Sequence, residues 1–263
     1  MVQDHHDNST PSLQLNATRL RFIPLQILGS YNIPHAVWND DASICHEVPS
    51  LVWNVMEILV PKAKLQKAAE RLVGCLSAYT RRPFPPEGNS EGPIHQYSED
   101  CILLASCQNL SVTADYIILV PDELFYFDTT DPLSLQGIPD FLKSSVGFDK
   151  ARVPSFSALI NALLRFLDES KCRIPTGFNT EILTQLRNDI QLRVVMLVAW
   201  RRKEQWVERY NSPEEYPATL KEVRNCLLVE NLLTFDSIYT HPRLVSNPTH
   251  APNVSDSLGK LSI

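Results

Sequence analysis

The segment between Ile33 and Val60 constrains the fold of this 263-residue chain more than any other part of it. It reads IPHAVWNDDASICHEVPSLVWNVMEILV: a short apolar stretch, a turn with two aspartates, an amphipathic stretch and a longer apolar run. The run over 50–60 is almost continuously apolar, as expected of a strand that is covered on both faces. The order predicts a strand, an acidic turn, a short helix and a second strand that carries Glu57 near its end.

Apolar periodicity and turn residues predict the other elements of the first half of the chain. After Pro61, apolar residues recur at i, i+3, i+4 and i+7, which is typical of an amphipathic helix and here extends over 62–79. The proline- and glycine-marked run over 81–96 predicts a loop. The full prediction comprises helices over 20–31 and 62–79, strands over 35–38, 50–60, 101–105 and 116–120, and a short edge strand over 125–127.

The second half of the chain is predicted to be helical. Pro154 suits a helix start, and apolar residues at helical spacing follow it. A long helix is predicted over 180–210. We therefore expect an α+β chain in four parts: a disordered tail over 1–14, an α/β domain over 15–150, a helical region over 151–240 and a flexible tail over 241–263.

Composition narrows the classes of function that this chain can have. The net charge of −6 argues against general nucleic-acid binding, which needs an excess of Lys and Arg, but it leaves a local basic patch open. With eight glycines in the chain, a nucleotide site cradled by glycines is disfavoured. No apolar run approaches the roughly 18 residues of a membrane span, and the amino terminus has no apolar signal-like stretch. We therefore predict no membrane interaction and a cytoplasmic location.

The six cysteines and seven histidines do not form a metal-binding pattern. No two cysteines are spaced C-x-x-C, and no two histidines are spaced as zinc ligands usually are. The sequence therefore predicts no zinc site and free, mostly buried thiols in a reducing compartment.

The segment over 33–61 resembles part of a nucleotidyltransferase-like domain, and it is also similar to a group of filamentous-fungal proteins of this length. In those fungal proteins a strand that ends in an aromatic residue precedes an acidic turn, and a later strand ends in Leu-Val-Pro, as it does here at 59–61. The resemblance extends over 20–235 at the level of element order. It implies a nucleotidyltransferase-like mixed sheet flanked by helices and followed by a carboxy-terminal helical bundle.

The chain departs from the pattern of active nucleotidyltransferases at the positions that carry their chemistry. Such enzymes have a Gly-Ser turn that holds nucleotide phosphates, two aspartates one residue apart on the next strand, and a third carboxylate on a neighbouring strand. Those carboxylates bind Mg²⁺, which neutralises charge on the transferring phosphoryl group. Here Asn39 and Asp40 stand at the turn, the strand has Asn54 and Glu57, and Asp115 is the candidate on the neighbouring strand.

These positions define the candidate site. The candidate catalytic residues are Asp40, Asp41, Glu57 and Asp115, and the candidate pocket residues are Trp38, His35 and His46. Asp40 and Asp41 are interpreted either as metal ligands or an acid–base pair, or as a helix cap and a first-turn acidic residue. His46 is interpreted either as a base or as a polar residue on an exposed helix face.

The sequence is compatible with three functions. The first is a catalytically degenerate nucleotidyltransferase-like protein that binds a small molecule or a protein partner as an accessory factor. The second is an enzyme of fungal specialised metabolism that uses the same cleft for other chemistry, an interpretation by analogy alone. The third is a divergent nucleotidyltransferase, and Mg²⁺ is expected as a cofactor only in that case.

Overall fold

The computed structural model describes residues 21–48, 54–84, 100–107, 114–142, 148–172 and 180–202. The two predicted tails and the predicted helical sequence beyond residue 202 lie outside the described residues. The described residues form a mixed α+β fold, in which a five-stranded sheet and a two-stranded sheet pack with helices.

The helices follow the apolar periodicity of the sequence. The described residues form five α-helices: α1 (Ile23–Ser30), α2 (Asn39–Cys45), α3 (Leu65–Cys75), α4 (Phe156–Cys172) and α5 (Thr180–Arg202). Single 3₁₀ turns occupy Lys62–Lys64, Asp122–Phe125, Pro132–Ser134 and Asp140–Leu142. On α3 one face is buried, and its buried side chains are Leu65, Ala68, Ala69 and Leu72, at the spacing that predicted the helix.

The strands form a mixed sheet around two apolar central strands. The strands are β1 (Ala36–Val37), β2 (Val55–Val60), β3 (Tyr79–Arg82), β4 (Ile102–Ser106), β5 (Tyr116–Pro121), β6 (Leu135–Gly137) and β7 (Arg152–Pro154). The larger sheet has the order β1-β2-β5-β4-β3, and only its β2–β5 pair is parallel. Strands β6 and β7 pair antiparallel in the smaller sheet.

One apolar core joins the sheet to the carboxy-terminal helices. Trp38 follows β1 and packs against Phe125 and Phe127, with ring centroids 5.1 and 5.7 Å away. Phe125 in turn packs against Phe166 of α4, at 5.3 Å between centroids. The buried core therefore extends from Phe22 to Val198, across the boundary that the sequence predicted at residue 150.

Two local predictions are wrong. The run over 125–127 is not an edge strand, because the chain makes a 3₁₀ turn over Asp122–Phe125 and Tyr126 adopts a left-handed conformation with φ of 54°. The helix predicted over 62–79 ends at Cys75, and Tyr79, the last residue of that range, begins β3. Strand β3 was missed because three of its four residues are exposed and polar, which hides the alternating apolar pattern of a strand.

Gly29 has a packing role that the sequence did not reveal. It lies inside the last turn of α1. A Cβ atom on Gly29 would lie 2.3 Å from the backbone oxygen of Lys150. The missing side chain therefore allows α1 to approach the segment that leads into β7.

The described cysteines and helices bear on two further predictions. Cys45 and Cys101 are buried free thiols, as predicted, whereas Cys75 and Cys107 are free but exposed. None of the described helices has the length and apolar character needed to cross a membrane.

Candidate functional site

The turn between β1 and α2 places the candidate residues. Trp38 is extended, with φ of −127° and ψ of 171°, and its backbone N–H donates to the Glu57 carbonyl at 2.9 Å. Asn39 then adopts a left-handed conformation with φ of 59°. Asparagine tolerates this region better than most residues with a side chain, so the turn forms without glycine.

Asn39 and Glu57 contact each other directly. The Asn39 side-chain amide donates from Nδ2 to Glu57 Oε1 at 2.9 Å. Glu57 lies on the central strand β2 and is only 4% exposed. The turn residue Asn39 therefore binds the buried carboxylate of Glu57.

Asp41 forms a buried ion pair with Arg21. The guanidinium donates from Nε and Nη2 to the two carboxylate oxygens, at 2.5 and 3.0 Å, and Nη2 also donates to the Val55 carbonyl at 2.6 Å. Burial raises the pKa of the Asp41 carboxyl, and the charge and hydrogen bonds of Arg21 oppose that rise. This ion pair fixes Arg21, which lies two residues before α1, to both α2 and β2, which is a structural role.

Asp40 connects α2 to the carboxy-terminal helix α5. Arg193 donates from Nη1 to Asp40 Oδ1 at 2.7 Å and to Ser43 Oγ at 3.3 Å. The predicted role of Asp40 as a helix cap is wrong, because α2 begins at Asn39 and its N-cap residue is Trp38. Asp40 instead lies in the first turn, where a negative charge is favourable.

Asp115 does not join the other carboxylates at Glu57. It precedes β5, and its carbonyl accepts a hydrogen bond from the Ser106 N–H at 2.7 Å. In the parallel register Glu57 lies opposite Ile118, and opposed residues of paired strands project from the same face of the sheet. The neighbouring-strand position beside Glu57 is therefore occupied by isoleucine.

The residue two positions before Glu57 is also apolar. Residues two apart on a strand share a face, so an Asp-x-Asp pattern that ends at Glu57 would need a carboxylate at position 55, which is valine. Asn54 lies before the first residue of the strand. Among the described residues, no group of three or more His, Cys, Asp or Glu side chains is placed to hold a metal ion.

The three candidate pocket residues have separate packing environments. Trp38 is buried in the aromatic cluster with Phe125 and Phe127. His35 Nδ1 donates to the Ile33 carbonyl at 2.8 Å, and its Nε2 accepts from the Arg152 backbone N–H at 3.3 Å. This arrangement requires the neutral imidazole, and burial lowers the pKa of His35 to about 4.

His46 contacts the smaller sheet and α4. Its Nε2 donates to the Pro154 carbonyl at 3.0 Å, and its ring stands edge-on to Phe156 at 5.5 Å between centroids. Burial raises the pKa of the neighbouring Cys45 thiol well above its ordinary value, so the thiol stays protonated. The geometry therefore gives His46 a structural contact and leaves Cys45 without nucleophilic activation.

Sequence reasoning missed two arginines that organise this site. Arg21 and Arg193 are 20 and 153 positions away along the chain from the aspartates that they bind. No local pattern in the sequence signals either contact. The one signal in the sequence is the pair of adjacent aspartates after an apolar strand. Buried carboxylates need a partner of opposite charge, so this pair indicates that cations from elsewhere in the chain contact the turn.

Comparisons with known proteins identify no family. No protein-family model matches the sequence, and no curated protein matches it significantly. One solved structure is similar at low level, that of the antibiotic-resistance factor ANT(2'')-Ia in solution, which shows substrate-regulated conformation dynamics. The two share 12% sequence identity and a TM-score of 0.34, over 76% of this chain and 97% of the other. This similarity is too low to assign a fold or an activity.

Proposed function

We propose that this chain is a catalytically degenerate nucleotidyltransferase-like protein that acts as a binding or accessory factor in the cytoplasm. The observation that carries the proposal is the hydrogen bond between Asn39 and Glu57. It joins the two positions where the resemblance would place a phosphate-binding turn and a metal ligand.

The chemistry of metal-assisted transfer supports this proposal. Mg²⁺ is held by carboxylates together with substrate phosphates, and it neutralises charge on the transferring group. On the sheet face that carries Glu57, the neighbouring residues are Val55 and Leu59 on β2 and Ile118 on β5. A single carboxylate that already accepts an amide hydrogen bond is a poor site for a hydrated Mg²⁺.

The other two aspartates of the turn also favour a structural role. Asp41 is neutralised by Arg21, and Asp40 by Arg193, so each binds a cation supplied by the chain. Displacing either arginine in favour of a metal would leave a guanidinium without its carboxylate in a partly or fully buried position. The free thiols of the exposed Cys75 and Cys107 fit the proposed reducing location.

Metal-dependent nucleotide binding tests the proposal directly. We expect that each of the four ribonucleoside triphosphates gives the same melting temperature with and without Mg²⁺, and that no pyrophosphate is released. A ligand that binds only the folded state raises the melting temperature, so a metal–nucleotide site would show as a Mg²⁺-dependent shift.

Two variants make this experiment decisive. Glu57→Gln removes the charge of the buried carboxylate, and Glu123→Gln removes the charge of a carboxylate whose side chain is 58% exposed. Mg²⁺-dependent pyrophosphate release that is lost in Glu57→Gln and retained in Glu123→Gln would establish a divergent transferase and refute degeneracy.

A further inference from the structure

One segment of this acidic protein carries a dense group of positive charges. Residues 62–82 contain six of the 24 lysines and arginines and only one acidic residue, Glu70. The segment has a net charge of +5, and the rest of the chain therefore has −11. We name these six cations the basic surface: Lys62, Lys64, Lys67, Arg71, Arg81 and Arg82, all of which are exposed.

The basic surface is continuous across α3 and β3. Lys64, Lys67 and Arg71 are spaced i, i+3 and i+7, so they lie along one side of the helix over about 10 Å. Arg81 on β3 donates to Gln66 Oε1 on α3 at 2.8 Å, which holds the strand beside the helix. Strand β3 is the outermost strand in the order of the five-stranded sheet.

The positions of these cations are unfavourable for the stability of α3. The positive end of the helix dipole lies at the amino terminus, yet Lys62, Lys64 and Lys67 lie there and the first turn has no acidic residue. Lys67 and Arg71 are also a like-charge pair at i and i+4, which destabilises a helix. Helix stability therefore does not explain this arrangement.

The described part of the chain neutralises little of this charge. Lys62 forms exposed ion pairs with Asp100 and Glu123, at 3.2 and 3.9 Å. Arg71 lies over the ring of Tyr31, 4.7 Å from its centroid, and Tyr31 is 41% exposed. Stacking on the ring orients the guanidinium before any partner arrives.

We propose that the basic surface binds a short acidic segment of a partner protein, independently of the site around Glu57. The exposed Tyr31–Arg71 pair supports a protein partner, because tyrosine and arginine are enriched among the few residues that carry most of the binding energy of protein interfaces. Among the described strands β3 pairs with β4 alone, so its other edge is where an extended peptide can pair. A long nucleic acid is disfavoured, because its footprint would extend beyond this surface onto a chain with a charge of −11 elsewhere.

The test uses a fluorescein-labelled peptide of alternating glutamate and serine, with a labelled oligothymidine of equal charge as the competing polyanion. Fluorescence anisotropy of the full chain should show salt-sensitive binding of the peptide and weaker binding of the oligothymidine. We expect Lys67→Glu to weaken peptide binding about tenfold, because it reverses a charge at the centre of the surface and pairs with Arg71. The matched control Lys150→Glu reverses an exposed charge elsewhere and should change the affinity less than about twofold.

The same variant separates lost binding from lost folding. Lys67→Glu places an acidic residue in the first turn of α3 and creates an i, i+4 pair with Arg71, so its melting temperature should equal or exceed that of the native chain. Unchanged peptide affinity in Lys67→Glu, tighter binding of oligothymidine than of peptide, or a lower melting temperature would each overturn the inference. Glu57→Gln should leave peptide binding unchanged.

Discussion

Asn39 combines two demands at one position: a left-handed backbone and a hydrogen bond to a buried carboxylate. Asn39→Gly keeps the backbone conformation and removes the donor to Glu57. We expect the free energy of unfolding to fall by about 1–3 kcal/mol, because a buried carboxylate loses a partner. Urea denaturation measures this change.

Asn32 provides the matched control for that variant. It also has a left-handed conformation, with φ of 52°, but its side chain is exposed. Asn32→Gly should therefore change the free energy of unfolding by only about 0.5 kcal/mol. Equal losses in the two variants would show that the Asn39–Glu57 hydrogen bond contributes no stability.

His35 makes the stability of the fold depend on pH. Its pKa is lowered to about 4 in the folded chain, so the unfolded chain binds a proton at a higher pH than the folded chain does. Stability from this group is complete above the ordinary histidine pKa and is lost as the pH falls toward 4, by at most about 3 kcal/mol.

The variant His35→Gln isolates this contribution. Carboxylates titrate in both the native chain and the variant, so their effects cancel when the two pH profiles of unfolding free energy are subtracted. We expect the difference between the profiles to be constant above neutral pH and to shrink as the pH falls from 6.5 toward 4. A difference that stays constant across this range would show that His35 does not remain neutral.

At the scale of elements, the ion pair between Asp40 and Arg193 connects α5 to α2. The two side chains are 23% and 15% exposed, so solvent screens their attraction only in part. A double-mutant cycle with Asp40→Asn and Arg193→Gln should give a coupling energy of about 1 kcal/mol in chemical denaturation.

An exposed ion pair is the control for that double-mutant cycle. Lys62 and Asp100 are 3.2 Å apart, and their side chains are 53% and 46% exposed. A cycle with Lys62→Gln and Asp100→Asn should give a coupling energy near zero, because exposed pairs contribute little. A larger coupling for this pair than for Asp40 and Arg193 would contradict the role of the latter in docking α5.

The predictability of each element follows from how local its signals are. Helix α3 could be predicted because its apolar residues recur at helical spacing, and strands β2 and β5 because each is an almost continuous apolar run. Strand β3 could not, because an edge strand with three exposed residues lacks that pattern. Of the candidate site, the turn with its two aspartates was predictable, whereas the arginines that bind them depend on long-range contacts that no spacing rule encodes.

At the scale of the whole molecule, the sheet and the carboxy-terminal helices share one core. Phe166 of α4 packs on Phe125, which packs on Trp38 beside β1. A chain that ends at residue 150 would lack α4, α5 and β7, and would leave this aromatic cluster partly uncovered. We expect such a fragment to unfold without a cooperative transition, whereas the full chain unfolds in one step by both near- and far-ultraviolet circular dichroism.

A cooperative transition in the fragment would show that the sheet region folds independently. The variant Phe166→Ala in the full chain offers a milder comparison, because it removes one ring from the cluster and leaves both helices in place. It should lower the free energy of unfolding by about 3–5 kcal/mol and preserve the single transition.

The contact of Arg21 with Asp41 and the Val55 carbonyl also has a practical consequence for trimming the amino terminus. A shortened chain that begins at Phe22 keeps every residue of α1 but discards the counter-ion of a carboxylate in the protein interior. Removing one partner of a buried ion pair costs about 3–5 kcal/mol, which is a large part of the stability of a typical domain. The single residue Arg21 therefore sets how far the amino terminus can be cut back.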